Sequence, residues 1–321
     1  MKLIKSSYKI IPQEAGLEGV YKQIEKVGRV CYKSEDKITE DSAKPFVDRM
    51  IKSGHGAMLE HGTVYFRIPF GKMLDTGEFE NEALSCWFVD NPYSWVRTGG
   101  VGSEDCWYVT SNYRVLIEND LLYTLQYLSE PTEYHERRVT IHFVCDRGVS
   151  HEFVRHRVMS FAQESTRYCN YSKDKFGNEL TFIIPSWMNM GSGKYEWEDQ
   201  NPLLTAGVDI RDCGYDDSSN LWVESNGAME ECKWARSLEY NEFFRLLQTS
   251  ENIYNILIKE GWKPQEARAV LPNALKTELV MTGFVSDWKQ FFDLRDSSHA
   301  HPDMQALAKP LHQKFINRKY I

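Results

Sequence analysis

The sequence predicts an α+β protein in which helices dominate, with a mixed sheet packed against helical bundles. Three observations predict it. Segments with apolar residues at a helical repeat alternate along the chain with short segments in which every second residue is apolar. The 321 residues are 42% hydrophobic, 26% charged and 13% aromatic, which is enough apolar material for an ordinary core and excludes disorder. The Gly 20 and Pro 11 are scattered rather than gathered into a linker, so residues 1–321 are expected to form a single domain.

Pro12 to Val27 reads as the first helix, because Leu17, Val20, Ile24 and Val27 share one face. Ser42 to Ser53 repeats that spacing with Phe46, Val47, Met50 and Ile51, and Gly54 stops it. Thr63 to Ile68 alternates as a strand. Ser111 to Leu128 reads as helix, Val139 to Cys145 as a half-buried strand, and Val149 onward as helix again. Thr181 to Ile184 is a short strand closed by Pro185. Ala235 to Glu260 is a long amphipathic helix ended by Gly261, and Pro264 opens a short one that Pro272 terminates after Leu271. Lys276 to Phe284 is strand-like. Ser286 is placed to cap a helix carrying Trp288, Phe291, Phe292 and Leu294, and Pro302 starts a last helix to about Phe315.

Two stretches, about 70–108 and 186–234, are irregular in periodicity. They hold seven of the nine tryptophans: Trp87, Trp95, Trp107, Trp187, Trp197, Trp222 and Trp234. So apolar a content implies ordered insertions that pack on the body or on a neighbouring subunit. The net charge of -8 is local too, since about ten acids between Glu196 and Glu231 face Arg211 alone. A near-neutral body with local arginine clusters suits small phosphates in pockets, and no nucleic-acid partner is expected. Seven cysteines without a C-x-x-C pair read as reduced thiols in a cytoplasm. No apolar run reaches the length of about eighteen residues that a membrane span needs, and Met1 to Gly16 offers no secretory core, so neither membrane nor export is expected.

The densest polar cluster is His151-Glu152-Phe153-Val154-Arg155-His156-Arg157, followed by Gln163, Ser165, Arg167 and Tyr168. A zinc-protease helix needs its histidines four apart, whereas His151 and His156 are five apart and project to different faces. An anion site fits better, because guanidinium forks and a serine hydroxyl suit phosphate. A salt-bridged helix end, with Glu152 one turn before Arg155, fits the same residues and stays open on composition alone. Arg268, on a short helix between prolines, reads as a buried arginine that needs an anionic partner, either a phosphate or an intrachain carboxylate. His299-x-His301 with His312 lacks a clustered carboxylate or cysteine, so no metal is expected.

Arg155-His156-Arg157, seven residues, then Ser165-Thr166-Arg167-Tyr168 resembles the R-H-R-x7-S motif of flavin-dependent thymidylate synthases. Other segments agree in order. Ser53-Gly54-His55 through Glu60-His61 looks like the family's G-H-x4-E-H turn, Ala267 to Pro272 is similar to its A-R-x-V-L-P, and Leu294-Arg295 with His299-Ala300 resembles its late arginine-histidine segment.

The resemblance implies a mixed α/β homotetramer with active sites shared between subunits. It implies conversion of dUMP to dTMP with bound FAD, and with NADPH and methylenetetrahydrofolate as co-substrates. Carried over, Arg155, His156 and Arg157 would meet flavin and nucleotide, Ser165 and Arg167 would hold the dUMP phosphate, and Arg268 and Arg295 would complete the substrate pocket together with Glu152 and Gln163. His55, Gln163, Gln290 and His299 would contact the flavin. Arg295 is the candidate for stabilising charge on the uracil ring, and no cysteine would attack C6. The chain departs from the family pattern at Glu152, commonly glutamine, at Ala162 and Phe284, commonly asparagine, and at His301, commonly glutamine. These departures motivate an alternative, a flavoprotein that binds a pyrimidine nucleotide and performs another transfer or only oxidises the nicotinamide. A nucleotide- or RNA-binding oligomer without turnover is a third reading, which the lack of a basic stripe opposes.

Overall fold

The computed structural model describes residues 1–101, 104–173, 179–198, 220–225, 228–231 and 238–321, among which twelve strands form three sheets. In chain order the strands are β1 (Lys2–Lys5), β2 (Ser7–Ile11), β3 (Thr63–Pro69), β4 (Trp95–Val101), β5 (Glu104–Asn112), β6 (Arg138–Asp146), β7 (Ser160–Gln163), β8 (Thr181–Ile184), β9 (Gly193–Glu198), β10 (Asn220–Ser225), β11 (Ala228–Glu231) and β12 (Lys276–Phe284). The described chain divides into two compact units, each built from three separate stretches.

The smaller unit comprises Met1–Ser6, Cys145–Ser150 and Ser165–Thr277. Its five-stranded sheet has the order β11-β10-β9-β1-β8, with β1 parallel to β8 and antiparallel to β9. The helix Leu238–Lys259 supplies Phe244, Leu247 and Tyr254 to a core shared with Leu3, Phe182 and Tyr195. Part of the stretch 186–234 is therefore strand, with Trp222 opposite Glu196 and also opposite Glu231 in the ladders. Trp234 and most of the acidic run, Asp199 to Asp217, lie outside the described residues.

The larger unit comprises Ser7–Val144, His151–Glu164 and Glu278–Ile321. It carries a four-stranded sheet, β2-β6-β12-β7, and a three-stranded one, β3-β5-β4. The helix Gly16–Tyr32 serves both. Val20 and Ile24 pack with Phe46, Val64, Phe66 and Val109, while Val27 and Val30 pack with Ile11, Ala162 and Val280. Gly28 lets the helix Ala43–Lys52 approach, since a Cβ there would meet the Phe46 ring at 2.6 Å. That second helix stops as expected at Gly54, whose φ is +70°.

Several elements differ from the sequence expectation. Residues 12–15 are not helical: the Gln13 side chain donates to the Thr63 carbonyl at 2.8 Å and accepts from the Thr63 N–H at 2.9 Å, which holds this segment to β3. The stretch 70–108, irregular in periodicity, holds the helix Glu82–Val89, strand β4 and the start of strand β5. Its alternation is lost because Cys106 through Asn112 are buried on both faces of β5. Ser111 to Leu128 is not one helix. Strand β5 runs to Asn112, whose side chain caps Tyr113–Glu118 by accepting from Val115 N–H at 3.2 Å, and a 3-10 turn follows at Leu122–Tyr127. Ser286 is not the cap of Val285–Arg295. Asp287 reaches back to accept from the Phe284 N–H at 3.1 Å, and Ser286 N–H donates to Glu136 at 2.9 Å.

The helix Val285–Arg295 is fixed by aromatic packing. Trp288 is 0% exposed, meets Phe143, Phe291, Phe292 and Phe315, and donates its indole N–H to the Val139 carbonyl at 3.1 Å. Trp288→Ala is expected to lower unfolding free energy by about 3–5 kcal/mol, through the cavity and an orphaned carbonyl. A urea unfolding series reads this directly, and a loss below about 1 kcal/mol would show that the helix is held by other means.

Candidate active site

The helix Arg147–Phe153 ends before the arginines, because Arg155 and His156 continue as a turn in which His156 N–H bonds the Phe153 carbonyl at 3.1 Å. That turn opposes the C-terminal part of Val285–Arg295. Phe153 stacks on Phe291 at 5.7 Å and 10°, and the His156 ring meets Phe291 edge-on at 5.0 Å. A cleft of about 260 Å³ results, lined by Arg155, His156, Arg157, Met159, Gln290 and Arg295, among others.

Arg295 is the most constrained side chain there. Its Nη1 donates to Glu152 Oε2 at 2.6 Å, its Nη2 to the Glu152 carbonyl at 2.9 Å, and its Nε to His156 Nε2 at 3.1 Å. The last bond requires a lone pair on Nε2, so His156 is neutral with its proton on Nδ1. Burial, and then the Arg295 charge, hold its pKa down at about 4, so the tautomer persists at neutral pH. Glu152 is spent on Arg295 rather than on Arg155. Arg155 and Arg157 are exposed and make no ion pair with a described residue, so the salt-bridged helix end is not what forms.

The other candidates of this unit sit elsewhere. Gln163 ends β7, opposite Leu279 of β12. His55 is exposed, with Nδ1 at 3.2 Å from the Tyr32 hydroxyl. His299 is exposed in the turn after the arginine helix, its N–H donating to Ser297 Oγ at 3.3 Å. None of these three lines the cleft. His301 Nδ1 accepts from the Asp303 N–H at 3.3 Å and so caps the helix Pro302–Asn317.

Ser165, Arg167 and Arg268 belong to the smaller unit. Ser165 Oγ accepts from Arg167 N–H at 3.3 Å, and the Arg167 guanidinium lies over the Tyr168 ring at 5.5 Å. Arg268 donates to Thr166 Oγ1 at 3.1 Å, which brings a second guanidinium to that turn. Contrary to expectation Arg268 is exposed, in the 3-10 turn Arg268–Val270, and it has no carboxylate partner among the described residues. Its position at the end of a four-residue helix leaves it in solvent.

Sequence reasoning missed three features. Asp287 lines the cleft and has its pKa raised by burial, the only signal being an acid in a helix's first turn. Arg138 donates to the Glu60 carbonyl, Thr63 and Ser160, all neutral, beneath the Phe284 ring at 5.6 Å; burial lowers its pKa to about 10. Lys33, in the left-handed region at φ 48°, pairs with Glu278, whose other oxygen lies 2.9 Å from His142 Nε2.

A family model described as thymidylate synthase complementing protein matches residues 129–318. A flavin-dependent thymidylate synthase of Corynebacterium efficiens is 30% identical over 163 residues, 50% of this chain and 50% of that protein. One of Pyrococcus furiosus is 24% identical over 174 residues, 54% of this chain and 52% of that protein. The chain thus spans about half the length of the curated relatives it matches. Among solved structures, a UMP/dUMP methylase from Streptomyces cacaoi bound with 5-Br UMP aligns with a TM-score of 0.41 and 14% identity, over 99% of this chain and 92% of that chain.

Proposed function

The chain belongs to the thymidylate synthase complementing protein family, and on that premise we propose that it is a flavin-dependent thymidylate synthase, methylating dUMP to dTMP with methylenetetrahydrofolate and NADPH. One observation carries this reading beyond membership: Arg155, His156 and Arg157 share a cleft with Arg295, about 140 positions later, and Arg295 is held in a single orientation. We further propose that residues 1–321 act as one domain, since neither unit is a continuous piece of chain. A homotetramer with shared sites and a cytoplasmic location complete the reading.

The cleft suits a flavin. Two uncommitted guanidinium groups can face a pyrophosphate, and Gln290 is an exposed amide beside them. When bound, FAD supplies the electrons and carries the one-carbon unit, chemistry no side chain here offers. Arg295 directs N–H groups at the uracil carbonyl edge and stabilises charge as C5 becomes nucleophilic. His55, Gln163 and His299 are assigned to the flavin by the same reading, and Gln163 to the nucleotide as well. Burial raises the Cys31 thiol to about 11 and lifts that of Cys145 as well, which disfavours these two as nucleophiles.

Ser165, Arg167 and Arg268 are assigned to the dUMP phosphate. Arg268→Ala is expected to raise the KM for dUMP by about 10- to 100-fold, the worth of one charged hydrogen bond, with a much smaller effect on kcat. An unchanged KM would remove Arg268 from the site. Mass analysis of the product tests the reaction itself: dTMP supports it, and any other modified nucleotide sinks it in favour of a related transfer.

A further inference from the structure

Arg295 has five N–H groups, and three are already taken by residues 152–156. Glu152 contributes two of the three acceptors, one from its side chain and one from its main chain, yet it does not line the cleft that Arg295 and His156 line. We infer that Glu152 is a positioning residue for Arg295 rather than a ligand of the substrate, and that it sets this arginine to receive a neutral ring carbonyl instead of a phosphate. The inference rests on the proposed reaction and deepens it.

The argument is one of remaining valence and charge. One N–H is left on each Nη, enough for one or two carbonyl acceptors. The guanidinium charge is already countered by a carboxylate at 2.6 Å, so a phosphate docked there would bring a second anion against Glu152. A neutral carbonyl brings no such repulsion. Arg155 and Arg157, exposed in the same cleft without ion-pair partners among the described residues, remain for anionic groups. The carboxylate tempers the charge of Arg295 but fixes its plane, and the gain is orientation.

His156 reports on this arrangement without turnover. It faces the Arg295 guanidinium and the Phe291 ring on the helix Val285–Arg295, with Asp287, Arg155 and Arg157 lining the same cleft. Histidine-labelled protein with Glu152, Glu152→Gln or Glu152→Ala is titrated by NMR in the absence of substrate, and kcat and KM for dUMP are measured in parallel. The native ring is expected to titrate near about 4. Glutamine can still accept from Arg295, so Glu152→Gln keeps that value and loses only about fivefold in kcat, with dUMP affinity within about tenfold. Glu152→Ala frees the arginine, raises the His156 pKa only part of the way, since burial is the larger cause of its depression and stays, and lowers kcat by about 100-fold with KM changed less than about threefold.

An unmoved His156 in Glu152→Ala overturns the inference. So does a KM for dUMP that rises as far as kcat falls, with Gln no better than Ala, because Glu152 would then touch the substrate. If the native protein turns over no dUMP, the proposed reaction fails while the His156 titration still decides the positioning role.

Discussion

Replacing Arg295 by alanine is expected to lower release of tritium from C5-labelled dUMP by about 10²–10³-fold, with FAD, NADPH and methylenetetrahydrofolate present. The size follows from where the charge develops. Uracil becomes nucleophilic at C5 only as negative charge spreads onto its ring oxygens and N3, and a preorganised guanidinium in a sheltered cleft stabilises that charge without reorganising. Three hydrogen bonds already hold Arg295 in place, so little ordering entropy remains to be lost at the moment of reaction. Label release within tenfold of the native rate would assign the electrostatic role to another group. A yellow protein that binds dUMP yet releases no label, even with Arg295 present, would mean that the pocket serves a different transfer.

The double replacement Arg155→Ala, Arg157→Ala is expected to yield a colourless protein. Each guanidinium offers charge-assisted hydrogen bonds worth about 1.5–3 kcal/mol, and two of them lost together correspond to roughly 10²- to 10⁴-fold in affinity. Both side chains are exposed and make no ion pair with a described residue, so the fold loses little when they go. Absorbance of the purified protein and titration with FAD check the prediction. Retention of flavin at native affinity would move the cofactor out of this cleft.

The motif around Arg155 was legible because it is local. Eleven residues, Arg155 to Ser165, carry its spacing, and the Ser165–Tyr168 turn forms within a short stretch of chain. The partner of Glu152 was not legible. Arg295 lies 143 positions away, and helical spacing offered Arg155 as the obvious mate. Helix Arg147–Phe153 ends too early for that pair to form, and aromatic stacking of Phe153 and His156 on Phe291 delivers Arg295 instead. Arg268 failed for a related reason. A lone arginine between prolines looks as if it must be buried, but a four-residue helix has too little flank to cover it.

The strands followed the same division. Thr181–Ile184 and Lys276–Phe284 were bounded correctly, since proline, turn chemistry or an apolar run marks their ends. Strand β5 was lost inside a stretch that looked irregular, because a strand covered on both faces has no alternation to detect.

By itself the sequence determined the family, the α+β class and the identity of the polar groups, for these depend on residue types at short spacing. The tertiary structure alone decided which of those groups are spent on each other. A carboxylate's nearest neighbour in the chain has no advantage over one brought to 2.6 Å by helix packing. Coulomb attraction depends on distance in space and on burial, and neither is written in the order of the residues.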